Sequence, residues 1–513
     1  MLFTGITSVV GSGWLFASLY AAQMAGPAAI LAWMIGGGVS FLIALVYAET
    51  VPIAPVAGSI ARIPFFTHGS LGGFLAGWLC LIAYLSTAPI EVMAVLDYAT
   101  NYIPGLTVNV HGERVLTHEG LAIAAAMLVL FAFINLKGVQ WLARANTVIT
   151  FWKLVIPFIA PIALMLTAFD TSHFSAYDGF APAGASGVFA AVAGGGVMFS
   201  FMGFRALLDM AGEVRNPQRN VPLALFGTIA ICTVLYILLQ VAFIGSIPSD
   251  HLKDGWGAIA ENAAGGPFAA FAALLGLKWL ALLLYVDAVL SPGGSGLAYT
   301  GFSPRLNYAL AKNGDFPKIF EKLNKNGVPV WGIIINTALG MVMLAPFPSW
   351  QSMVAFISSA ATLSLIFGPI SLMAMRAQLP DAERPFRVPF AKPIAATAFV
   401  LVGWLVYWTG WENNWKLFIV LAIGLTVMLL SRAMSGRSSD PLHVRQSLWV
   451  LPYLSLIAVT SYIGNFGGGA GLVPEWLDML LIAVGSVVIF EMAIRQRLPD
   501  DEARALVEAA RGE

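Results

Sequence analysis

Gly11-Ser12-Gly13, set inside the first apolar stretch of the chain, and Phe199-Ser200-Phe201-Met202-Gly203-Phe204, set inside another far downstream, decide how this sequence reads. Backbone in the hydrocarbon of a bilayer must satisfy its own hydrogen bonds. A spanning helix therefore unwinds only where it lines a cavity or grips something. Two such breaks in corresponding positions point to a transport site near the membrane midplane.

The rest of the chain supports a membrane setting. Of its 513 residues 58% are hydrophobic and 11% charged, and the mean hydropathy is +0.81, far too apolar for a soluble domain of this length. Apolar segments of roughly 18 to 28 residues, each able to cross about 30 Å of hydrocarbon, begin near Leu2, Pro27, Gly72, Glu119, Val148, Gly187, Leu223, Leu277, Pro329, Trp350, Pro393, Trp415, Leu448 and Trp476. They make about fourteen spans. With a cytoplasmic N-terminus, 21 of the 27 Lys and Arg residues fall in inside loops and the tail. Four (Arg114, Lys253, Lys278, Lys416) fall outside, and two (Lys153, Arg205) fall within spans. The positive-inside rule then places both termini in the cytoplasm of a multi-pass protein of the cell (plasma) membrane.

Met1 opens the first span with no charged n-region and no small-residue cleavage site at the usual distance, so it does not read as a removable signal. Ten residues precede Gly11, which makes the first half-helix short and leaves a start upstream of Met1 as an open alternative. Cys80 and Cys232 lie inside apolar spans, where cysteine behaves as a small hydrophobe, so neither a disulfide nor a metal site is indicated. The longest hydrophilic stretch runs from Gly301 to Val328, with a helical look around Ala309-Leu310-Ala311-Lys312, and is too short for a separate catalytic domain. The tail from Leu498 to Glu513 reads as a charged, solvated helix. No cofactor or nucleic-acid partner is called for.

The first break lies in span 1 and the second in span 6, so five spans separate them. An odd repeat unit must insert upside down relative to its partner. The expected organisation is an all-α polytopic fold with a first five-helix repeat over 1–170 and a second over 185–378. Accessory spans 11 and 12 occupy 393–434, two additional spans 447–495, and a tail 496–513.

At this point the residues resemble the amino acid-polyamine-organocation (APC) permease superfamily, whose core has five-plus-five inverted repeats of the LeuT-like type with discontinuous spans 1 and 6. The matching pieces are Gly11-Ser12-Gly13, Ala25-Gly26-Pro27, Tyr47-Ala48-Glu49 and Phe201-Met202-Gly203-Phe204. Further pieces are Glu213-Val214-Arg215-Asn216-Pro217 and the stretch Arg305 to Val330, with Tyr308-Ala309, Asn313-Gly314-Asp315-Phe316-Pro317 and Pro329-Val330. The resemblance covers roughly residues 1 to 430 and is carried by the set rather than by any one piece. It implies an amino-acid transporter. Two departures stand out: most relatives have about twelve spans, and an acid commonly follows the span 6 motif where this chain has Arg205.

An amino-acid substrate brings a carboxylate and an ammonium, and a broken helix offers a partner for each. Free N–H groups around Gly11, Ser12, Gly13 and Trp14, at the positive end of the second half of span 1, suit the carboxylate. Carbonyls around Phe199, Ser200 and Phe201, with Gly203 beside them, suit the ammonium. The bland alternative is that Gly11 and Gly13 only let helices pack closely. The resemblance suggests Phe199 as an aromatic lid, although a plain core ring reads equally well.

Three buried charges ask for a role. Lys153 lies inside span 5, and an intramembrane ionisable residue is costly enough to be functional by default. The resemblance implies that its amine sits near spans 1 and 8, where sodium-coupled relatives hold a cation, and that it couples transport to protons. The alternative is snorkelling at the interface. All six histidines (His68, His111, His118, His173, His251, His443) fall in predicted loops, so proton traffic must use lysine or carboxylates. Asp287 is the best carboxylate candidate, four residues before the break-like Ser291-Pro292-Gly293. It either pairs with Lys153, as a coupling or a static pair, or meets a cation directly. Arg205, immediately after the span 6 break, favours a substrate side-chain carboxylate such as that of aspartate or glutamate, unless Asp209 neutralises it along the helix. Glu49, Glu91, Asp97 and Glu213 carry no assigned role at this level.

The leading expectation is a proton-coupled importer of amino acids working by alternating access. An obligate amino-acid exchanger is the alternative, and an amino-acid sensor is a remote one because no signalling domain is present. An enzyme is not expected, since no nucleophile-and-base pair or metal-ligand cluster occurs in the spans.

Overall fold

The computed structural model describes every residue except 111–112, 138–139, 260–265, 348, 436–440 and 512–513, and describes only the backbone of 140–149. His111, Arg437 and the side chain of Arg144, all placed by the sequence reading, lie outside the described residues. Among the described residues the chain is mostly helical, and its one sheet is a small hairpin, β1 (Thr107–Val110) against β2 (Glu113–Leu116), paired from Thr107 with Leu116 to Val110 with Glu113. That outcome follows from the solvent. Within lipid only a helix satisfies its own N–H and C=O groups segment by segment.

In chain order the helices are α1 (Leu2–Val9), α2 (Gly13–Ala25), α3 (Ala29–Thr50), α4 (Ser59–Ala99), α5 (His118–Lys137) and α6 (Gln140–Thr167). Next come α7 (Gly184–Ala193), α8 (Val197–Phe201), α9 (Arg205–Asp209), α10 (Pro217–Ser246), α11 (Pro267–Leu274), α12 (Lys278–Lys312), α13 (Val330–Met343), α14 (Trp350–Ser364) and α15 (Phe367–Gln378). After them follow α16 (Ala391–Trp408), α17 (Trp411–Met434), α18 (Val444–Ile463), α19 (Glu475–Arg495) and the tail helix α20 (Asp500–Arg511).

By length and composition, 11 of these helical runs can cross a membrane, or 12 when the bent pair Gly184–Ala193 and Val197–Asp209 is taken as one span. The expected fourteen is therefore not reached among the described residues. Two features account for the difference. The second half of span 1 and span 2 form one run, Gly13–Ile53, interrupted only by the tight turn Gly26–Ala28, and α13, with 14 residues, is shorter than the roughly 20 a straight crossing needs.

Burial sorts the bundle into centre and rim. The most apolar stretch of α4 is 100% buried, whereas only 33% of the corresponding stretches in α5, α17 and α19 is. Helix α4 packs against α12, α14 and α15, and α3 against α10, so α4 forms a wall of the interior around which the two broken spans are held. Leu166, Val129, Leu429 and Val488 point outward as apolar, exposed side chains, the lipid-facing counterpart of a soluble protein's polar surface. The tail helix docks Ala503, Val507 and Ala510 against the body, and Arg511 donates to the Ile53 carbonyl at 2.7 and 3.1 Å. It is half docked rather than solvated throughout.

Candidate functional site

Helix α1 stops at Val9, Val10 turns extended (φ −85°, ψ 93°), and α2 begins at Gly13. The exposed ends of this break need partners, and side chains supply most of them. On the carbonyl side, Thr7 O accepts from Lys153 Nζ at 3.1 Å and from Ser295 Oγ at 3.4 Å. Val9 O accepts from Tyr236 Oη at 3.1 Å and Val10 O from Ser291 Oγ at 3.3 Å. On the amide side, Ser12 N donates to Glu91 Oε2 at 2.8 Å, and no acceptor is present among the described residues for the N–H groups of Gly13 and Trp14. The N-terminus of α2 thus presents its donors toward an anion, and the Glu91 carboxylate takes the one on Ser12.

The second interruption begins earlier than the sequence reading placed it. Helix α7 ends at Ala193, and Gly194-Gly195-Gly196 breaks it, with Gly196 at φ 88°, a left-handed conformation that glycine adopts without strain. The two halves bend by 41°. Phe199, Ser200 and Phe201 lie in the short helix α8, and Met202–Phe204 tightens into a single 3-10 turn before α9 instead of unwinding. Of the three carbonyls expected to be free, Phe199 O accepts from Met202 N and Ser200 O from Tyr236 Oη at 3.3 Å.

Small residues bring the two broken spans into contact. A Cβ on Gly13 would lie 2.3 Å from Ser200 Oγ, and one on Gly203 would lie 2.1 Å from the Ser8 carbonyl oxygen. Both distances are shorter than any real carbon contact, so only glycine permits this approach. Between the spans lies a small, partly open cavity lined by Gly11, Gly13, Glu91, Phe199, Gly203 and Arg205 among others. Five of the nine residues expected to bind substrate therefore face one space. The Ser12 hydroxyl instead accepts from Trp350 Nε1 at 2.9 Å. Phe201 packs between Trp33 and Tyr236, and Trp14 lies behind the break against Phe268. Phe199 meets Trp350 edge to face, ring centroids 5.9 Å apart.

The buried charges are distributed differently from expectation. Lys153 is fully buried; its amine reaches span 1 through Thr7 O and span 8 through Ser295 Oγ at 2.7 Å. Asp287 is also fully buried but lies more than 4 Å from Lys153, so of its two readings the direct ion pair with Lys153 is not formed. The Asp287 carboxylate instead faces the indoles of Trp14 and Trp152. The Ser291-Pro292-Gly293 stretch is not a break, because α12 runs through it with Pro292 inside. Arg205 is 2% exposed. It donates to Met202 O and Ser364 Oγ at 3.2 and 3.3 Å and stacks over the Tyr84 ring at 5.2 Å, with no carboxylate within 4 Å among the described residues. Asp209 does not neutralise it directly, since its oxygens accept from Tyr84 Oη at 2.7 Å and Ile60 N at 3.1 Å.

Sequence reasoning missed Glu91, Tyr236, Ser295 and Trp350. Glu91 carried a usable signal: it is a carboxylate in the middle of an apolar run, the same rule that singled out Asp287. The other three carried none, being ordinary hydroxyls and rings until the fold aims them. Histidine was partly misplaced, because His68 lies fully buried inside α4, bonded to Thr67 Oγ1 at 2.9 Å and Ala493 O at 3.2 Å, and His118 opens α5.

Residues 1–429 match the family model described as amino acid permease. The chain is 38% identical over 502 residues, 97% of its length and 96% of the relative's, to the aspartate-proton symporter of Bacillus subtilis. It is 35% identical to the glutamate/serine transporter AimA of the same organism, covering 96% and 92% of the two chains, and 26% identical to the methylthioribose transporter of that organism, covering 83% and 90%. With its interrupted first and sixth spans, its interior cavity and this match over most of its length, the chain belongs to the amino acid permease family of the APC superfamily.

Proposed function

We propose that the protein imports an acidic amino acid together with a proton, by alternating access across the plasma membrane. One observation carries the reading. The cavity is lined both by a buried guanidinium with no carboxylate within 4 Å among the described residues, Arg205, and by the amide end of a broken helix at Gly11 and Gly13, and these two positive features match the two carboxylates of aspartate or glutamate. The names of two relatives above 30% identity, one an aspartate-proton symporter and the other a glutamate/serine transporter, support it.

In this reading the N–H groups around Gly11, Ser12, Gly13 and Trp14 take the α-carboxylate, carbonyls of Phe199, Ser200 and Phe201 take the ammonium through their remaining lone pairs, and Phe199 covers the substrate. Gly203 keeps the approach open. Arg205 takes the side-chain carboxylate, and the buried Lys153 and Asp287 couple the cycle to protons. Residues 1–170 and 185–378 act as oppositely oriented five-helix repeats that rock around the site, with 393–434 and 447–495 as accessory spans. Both termini and the 496–513 tail face the cytoplasm. The sites are noncatalytic.

The test is uptake of labelled aspartate into proteoliposomes, with and without an acid-outside gradient, with sodium replaced, and against a panel of competing amino acids. Accumulation that needs the pH gradient, persists without sodium and is blocked by acidic amino acids is the expected result. Accumulation only with internal counter-substrate means exchange, and absence of competition by acidic amino acids removes the assigned role of Arg205.

A further inference from the structure

The Ser12 N–H is claimed twice: by Glu91 in the empty protein and, under the function proposed above, by the α-carboxylate of the substrate. Glu91 sits on α4 and is 3% exposed. One of its oxygens accepts from Ser12 N at 2.8 Å, and the other lies where a Cβ on Gly11 would come within 2.3 Å of it. The carboxylate therefore reaches into the break of span 1, in the space that the missing side chain of Gly11 leaves. Two anions cannot share one N–H group in a low-dielectric cavity without a large penalty.

We propose that Glu91 is a proton-operated occupant of the substrate site: charged, it holds the Ser12 N–H when the site is empty, and on taking up one proton it releases that N–H to the incoming carboxylate. The proposal rests on the acidic-substrate reading above. Charge balance favours it. Lys153 from α6, Arg205 from α9, Tyr236 from α10 and Tyr299 from α12 face Glu91, with Asp287 of α12 beyond Lys153. Lys153 and Arg205 stand against Glu91, Asp287 and, across the Tyr84 ring from Arg205, Asp209. An acidic amino acid adds one net negative charge, and a single proton on Glu91 cancels it as the cavity closes. The proton comes from the same solution as the substrate, no covalent bond changes, and both leave together when Glu91 is charged again on the other side.

The full-length purified protein tests this by calorimetric titration with aspartate at several pH values, in buffers of different ionisation enthalpy. The wild type is expected to take up close to one proton per aspartate, with affinity falling about tenfold per pH unit above the range where Glu91 is protonated. Glu91→Gln, folded by size exclusion and thermal melt, is expected to bind with no proton uptake and an almost flat pH profile. A Glu91→Gln protein with the wild-type slope overturns the proposal. Where Glu91→Gln does not fold, a wild type that binds aspartate without proton uptake overturns it by itself. A wild type that binds neither aspartate nor glutamate overturns instead the function on which the proposal rests.

Discussion

Arg205 illustrates what a single residue has to contend with inside this bundle. A guanidinium 2% exposed, with no carboxylate within 4 Å among the described residues, is held by carbonyl, hydroxyl and aromatic contacts that only partly replace water. Tyr84 lies between it and Asp209, its ring under Arg205 and its hydroxyl on the acid, which keeps Asp209 occupied and Arg205 available. Replacing Arg205 by Gln is expected to weaken aspartate transport about 10- to 100-fold in KM, the loss of a charge-assisted hydrogen bond worth about 1.5–3 kcal/mol, with less effect on a neutral amino acid. Competition assays check this. Phe199→Ala is expected to raise KM with surface expression intact, and unchanged uptake kinetics would remove Phe199 from the site. Lys153→Met, which strips the amine from Thr7 O and Ser295 Oγ, is expected to abolish accumulation driven by an acid-outside gradient; retained accumulation in vesicles would end its coupling role.

Between elements, the decisive feature is how closely the two broken spans approach. Gly13 and Ser200 are packed with no room for a single added methyl group, the Ser200 Oγ standing 2.3 Å from where it would go. Gly13→Ala is therefore expected to destabilise the protein by about 1–3 kcal/mol through overpacking and to reduce uptake. Adding Ser200→Gly removes the opposing hydroxymethyl and is expected to restore a good part of both. A thermal-shift and uptake double-mutant cycle measures the recovery, and strictly additive effects would show that the two residues do not oppose each other. At this scale the sequence was legible for span 1, because Gly11-Ser12-Gly13 is isolated among large apolar residues. For span 6 it misled. Phe201-Met202-Gly203-Phe204 attracts the eye as a motif, but the consecutive glycines 194–196 are the residues without a Cβ to bias them toward helix.

Across the whole molecule, the core is tied to the segments beyond span 10 by buried ion pairs near the ends of the helices. Glu49, at the end of α3 and 1% exposed, accepts from Arg376 at 2.7 and 2.8 Å and from Val388 N at 2.7 Å, with Arg384 3.3 Å away. Asp315 pairs with Arg432 of α17 at 2.8 Å. Glu49→Ala leaves two guanidinium groups facing an apolar gap and is expected to cost about 3–5 kcal/mol, read as a lowered melting temperature in detergent. An unchanged melting temperature would show that the clamp contributes nothing to stability.

Membrane residence, the all-helical class and the first break follow from composition and local pattern, because hydrocarbon admits only backbone that satisfies itself and because glycine and serine side chains cannot hide such a gap. The permease resemblance was likewise carried by short local runs. The tertiary structure decided which charges meet: Lys153 beneath Thr7, Asp287 apart from it among indoles, Arg205 free of Asp209, and Glu91 seated on Ser12 N across 79 positions of chain. Electrostatic partnership depends on a few ångströms of separation in a low dielectric, and that distance is set by helix packing, which no stretch of sequence contains.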